Sequence, residues 1–105
     1  MVQGNMTIQA ILDKDNYALP EWDKRGLIPS PASTILLMDT STKSFLNKLK
    51  AVDATNKNKD DLYKEVLRLV DQLPWDDLDT EEKEFLADTI VPAIESLGLN
   101  AWSMM

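Results

Sequence analysis

Along the chain, apolar residues recur in steps of three and four in two well-marked stretches. In the first, Leu62, Tyr63, Val66, Leu67, Val70 and Leu73 form a broad stripe, with Lys64, Glu65, Arg68 and Asp71 on the opposite side. This period predicts an amphipathic helix opening near Lys59 or Asp60. In the second, Phe85, Leu86, Ile90, Ala93, Ile94 and Leu97 share a face. Here the punctuation is fuller. Pro74 ends what precedes it, and Asp79 followed by Glu82 has the spacing of a capping box. Gly98 is placed to take a left-handed conformation after the last turn, letting Leu99 fold back on Ile94 in a Schellman stop. Pro92 interrupts this helix and removes one amide, a defect costing about 3 kcal/mol in a regular interior. The stripe continues in phase beyond it, which predicts a kink rather than a stop.

The N-terminal half is less regular. Asn5 or Thr7 is the expected cap of a short helix carrying Ile8, Ile11 and Leu12 and running to about Asn16. From Tyr17 to Pro31 the text YALPEWDKRGLIPSP holds three prolines and one glycine, too broken for a long helix or a central strand. An ordered loop is expected there, with one turn around Trp22 opened by Pro20 and closed by Gly26. Ser30 and Pro31 then begin a long helix through Ile35, Met38, Thr42, Phe45, Leu46, Leu49 and Val52, ending near Ala54. Its weak point is Asp39 to Thr42, whose short polar side chains compete for backbone hydrogen bonds and could divide it. The linker ATNKNKD follows. No stretch alternates polar and apolar residues long enough for a half-buried strand. The expected fold is all-α, a four-helix bundle or an orthogonal helical array, with a long ordered loop between helices 1 and 2 and a single domain over 1–105.

A length of 105 residues, 44% of them hydrophobic, suits one core. The absence of both cysteine and histidine removes disulfides, thiol chemistry, Cys or His metal sites and imidazole catalysis. No run reaches the ~20 apolar residues of a membrane span, and MVQGNMTIQAILDKD has neither a basic leader nor a long apolar core. A cytoplasmic protein is expected.

Charge changes the picture most. The net of -7 divides into -2 over residues 1–42, +3 over 43–68 and -8 over 69–105. In the last third, Asp76, Asp77, Asp79, Glu81, Glu82, Glu84 and Asp88 surround a single base, Lys83, and Trp75 stands beside them. Such a stretch is either a solvated helix face or a docking surface for a basic protein with Trp75 as its anchor. Asp77, Asp79 and Glu81 alternate like the start of a calcium loop, but the glycine at the sixth position and the acid at the twelfth are missing. Acids three or four apart on a helix exterior, such as Glu81 with Glu84 or Glu84 with Asp88, lack the cleft that would push their pKa values apart for catalysis. Ser44 and Lys48 lie one turn apart, a spacing common to any helix.

The lysines of the middle third, from Lys43 to Lys64, are diluted by Asp53, Asp60, Asp61 and Glu65, and the rest of the chain would repel a phosphate backbone. Nucleic acid and anionic membrane are therefore not expected partners, and no cofactor or metal is expected. The segments LPEW at 19–22 and LPW at 73–75 look alike in unlike surroundings. Trp22, Trp75 and Trp102 each read as part-buried core or lid, and only Trp75 has neighbours that suit an interface. The expected function is a small acidic non-enzymatic binding protein, in charge and size like inhibitors and immunity proteins, whose C-terminal third docks a basic partner. The alternative is a self-associating structural or adaptor domain, a homodimer for instance, held by its wide stripes and apolar tail.

Overall fold

The computed structural model describes residues 2–55 and 58–104, with side chains from Met6 onward. Every regular element among them is helical: α1 Val2–Asp13, α2 Leu19–Lys24, α3 Ala32–Asp53, α4 Lys59–Asp71 and α5 Thr80–Glu95. Single 3-10 turns at Trp75–Asp77 and Ala101–Met104 complete the set. The all-α expectation stands, with a fifth helix inside the segment read as a loop.

Local chemistry explains most boundaries. α1 starts at Val2, so the cap expected at Asn5 or Thr7 is corrected: both residues lie within the helix. It ends at Asp13 rather than Asn16, because the Asn16 amide turns back to donate to the carbonyls of Ile11 (2.9 Å) and Lys14 (3.2 Å). The Lys14 carbonyl would otherwise lack a partner at the helix end, while that of Ile11 also accepts from the Lys14 amide at 3.2 Å. α2 carries Pro20 in its first turn and ends on Gly26 at φ +71°. The amides of Leu27 and Gly26 bond to the carbonyls of Trp22 and Asp23, which is the Schellman pair.

α3 is unbroken through Asp39–Thr42, contrary to the division that the polar run allowed. The Thr40 hydroxyl is spent on the Leu36 carbonyl one turn back, and the Thr42 hydroxyl meets Tyr17. α4 is capped by Asn58, which accepts from the Asp61 amide at 2.9 Å. α5 opens with the capping box the spacing predicts: Asp79 accepts from the Glu82 amide (2.8 Å) and Glu82 from the Asp79 amide (2.9 Å). The helix runs through Pro92 to Glu95. Gly98 does turn left-handed (φ +82°), yet its stop is built from tight turns, Leu97 to Ile94 and Gly98 to Glu95. The expected outer bond from Leu99 to Ile94 is not made, although Leu99 is buried.

α3 is the spine. Its 22 residues span about 33 Å at ~1.5 Å each, most of the molecule's 41 Å length. It packs against α1, α4 and α5, and α5 also holds α1 and the last 3-10 turn. Ile8, Met38, Leu46, Leu49, Val66, Leu86, Ile90 and Ile94 fill one continuous core.

Candidate functional site

Two helix-entry segments meet α5, and each brings a tryptophan. After α1, Tyr17 and Trp22 pack edge-on against Phe85, with ring centroids at 5.0 and 4.8 Å. The Trp22 indole donates to the Tyr17 carbonyl (3.0 Å), and the Tyr17 hydroxyl is 2.7 Å from Thr42 Oγ1. Arg25 covers the free face of Phe85 at 4.7 Å and donates to Asp88 at 2.8 Å. Burial pushes the Tyr17 phenol up to about 12; the Thr42 and Thr89 hydroxyls oppose that rise and Asp39 adds to it. Glu21 holds Lys24 (2.9 Å) and Lys14 (3.2 Å), and these bonds lower its pKa.

The second segment is the acidic one. After α4, Leu73 and Leu78 are buried, which fixes the tight turn between them. The Trp75 indole donates to the Val70 carbonyl at 2.8 Å and its ring rests partly on the core. With its only donor used, this side chain offers a ligand nothing but its ring. Asp76, Asp77, Glu81 and Glu84 are exposed, and none enters an ion pair among the described residues.

Three of the sequence-predicted acids behave differently. Glu82 is corrected outright: it is 7% exposed, one oxygen accepts from the Asp79 amide, and the other accepts from the Ser30 hydroxyl across the molecule. It serves as a cap, with both oxygens spent within the fold. Asp79 spends one oxygen on that same cap. Asp88 is taken by Arg25, 63 residues away in sequence, and stands beside Phe85 rather than with the free acids.

A shallow cleft of about 410 Å³ opens beside Trp75, lined also by Val70, Asp71, Lys83, Glu84, Ala87 and Met104. Of these, Asp71 and Met104 carried no signal in the local pattern, because α4 and the last turn supply them from 12 residues or more away from α5's lining residues. Asp71, Lys83 and Glu84 are exposed and enter no ion pair among the described residues. Ser44 and Lys48 line a different groove, between α3 and α4, and no hydrogen bond joins them. Among the described residues no three carboxylates gather as a metal would need, and no helix is long and apolar enough to cross a membrane.

No protein-family model matches the chain, and comparison with curated proteins and with solved structures gave no match either. The class defined here is thus that of a small all-α protein with one acidic, aromatic-bearing edge.

Proposed function

We propose that this chain is a cytoplasmic, non-enzymatic binding protein of the inhibitor or immunity type, docking a basic protein on the edge formed by Trp75, Asp76, Asp77, Glu81 and Glu84. One observation supports the reading above the others. These four carboxylates are exposed and none enters an ion pair among the described residues, although the chain has 11 basic side chains of its own. Like charges left unpaired on one edge repel each other and destabilise the free protein slightly, while focusing a field that speeds encounter with a cationic partner. Asp79, still exposed, adds to that field. The same solvent exposure argues against a catalytic carboxylate pair, which needs a site dry enough to separate two pKa values.

The test is binding to the basic proteins encoded by neighbouring genes, measured by calorimetry at ~0.01 M and ~1 M salt, where charges are screened over about 30 Å and 3 Å. Affinity is expected to fall at least about tenfold across that range, and further in a variant carrying Asp76→Asn, Asp77→Asn, Glu81→Gln and Glu84→Gln. Failure of every such protein to bind, or binding indifferent to salt and to the four substitutions, would overturn the reading.

Self-association is the second reading, favoured by the exposure of Ile28 (90%), Leu36 (66%) and Trp102 (58%). Sedimentation of a strict monomer at high concentration would remove it.

A further inference from the structure

α5 seats one arginine already. Arg25 lies over the ring of Phe85 at 4.7 Å while its guanidinium donates to Asp88 at 2.8 Å, an aromatic face and a carboxylate one turn apart gripping a single cation. The cleft at Trp75 repeats those ingredients with no cation paired to them, its one base, Lys83, entering no ion pair among the described residues. It has an indole ring whose N–H is already committed, two exposed carboxylates, Asp71 and Glu84, and apolar surface from Ala87 and Met104.

We propose that this cleft seats an arginine side chain of the basic partner, with the guanidinium on the Trp75 ring and bonded to Glu84 or Asp71, and the methylene stem against Ala87 and Met104. The proposal rests on the reading that this edge docks a basic protein. Arginine fits where lysine does not. Its planar, weakly hydrated guanidinium stacks on an aromatic face and still has in-plane donors for a carboxylate, whereas an ammonium is a strongly hydrated point charge. Lys83, the one base on the rim, sits on a flexible four-carbon stem and can carry its ammonium out to solvent as the guest enters.

Two short peptides of equal length and charge test the seat, one alternating alanine with arginine and the other alanine with lysine. Binding is followed through the three indole N–H signals in heteronuclear NMR. The arginine peptide is expected to bind about fivefold more tightly than the lysine peptide, moving the Trp75 signal and leaving that of buried Trp22 in place. Ala87→Phe, which fills the cleft, should reduce the arginine peptide to the affinity of the lysine peptide. Glu84→Gln, at an exposed position, should do so in part and serves as the control should the larger substitution disturb the fold. Equal affinities with Trp75 unmoved, or a preference for arginine that survives both substitutions, would overturn the seat while leaving the docking edge intact. If neither peptide binds, the seat falls as well; the docking edge is then decided by the salt experiment on whole proteins.

Discussion

The chain contains two segments of the same make, Leu19-Pro20-Glu21-Trp22 and Leu73-Pro74-Trp75, and they end in opposite conditions. In both, the proline stands within one residue of the start of a short helical turn, and the indole N–H reaches back to a carbonyl five residues earlier, Tyr17 in one case and Val70 in the other. The difference lies in what surrounds the rings. Trp22 is 1% exposed, its neighbour Glu21 is held by two lysines, and Arg25 with Asp88 closes the outside. Trp75 remains partly open beside Asp76 and Asp77, which nothing in the described chain neutralises. A local device that locks an aromatic ring to the backbone therefore makes core where the chain supplies the counter-ions. Where it withholds them, the same device makes an exposed edge.

The contrast breaks most visibly at the two rings. Trp22→Ala should cost about 3–5 kcal/mol in urea unfolding, the usual loss for a fully buried aromatic. Trp75→Ala should cost only about 1–2 kcal/mol, since part of its surface is already wet, yet remove binding of a basic partner. Equal losses would mean that both segments serve the fold alone.

A smaller effect separates the segments by pH. Below pH 10 the Tyr17 phenol is protonated in folded and unfolded chains alike. Between 10 and about 12 only the unfolded chain loses the proton, so stability should fall across that window, by roughly 2–3 kcal/mol in all. Tyr17→Phe should abolish that part of the alkaline slope while costing about 1 kcal/mol at neutral pH, because Thr42 loses its partner.

Charge substitutions should give the smallest changes and the sharpest sign. Arg25→Ala removes a solvent-screened ion pair and a ring contact, worth about 1 kcal/mol or less. Asp76→Asn with Asp77→Asn should leave the melting curve within about 0.5 kcal/mol of the parent, or raise it slightly by relieving repulsion. A clear loss from the second pair would show that these acids have partners in the fold.

What could be read from the sequence was what the chain settles within a few residues. The capping box of Asp79 and Glu82, the start of α4 at Lys59, the glycine turn at 98 and the stripes of α4 and α5 all depend on neighbours one turn away. The misplaced boundaries depend on more distant partners or on competition between equivalent signals. α3 stays whole because Thr42 has Tyr17 to bond to, and the Schellman pair expected at Gly98 forms at Gly26. The acidic edge was legible as composition. Its membership was not: Glu82 is withdrawn by Ser30 and Asp88 by Arg25, from 52 and 63 residues away. The cleft was invisible for the same reason, since Asp71 and Met104 reach it from opposite sides of α5 in the chain order.

Met104 carries one last implication. This buried thioether is both the anchor of the closing 3-10 turn and a wall of the cleft, so the shape presented to a guest and the docking of that final turn are a single property. Anything that made the sulfur polar, such as conversion to its sulfoxide, would loosen the turn and wet the cavity together.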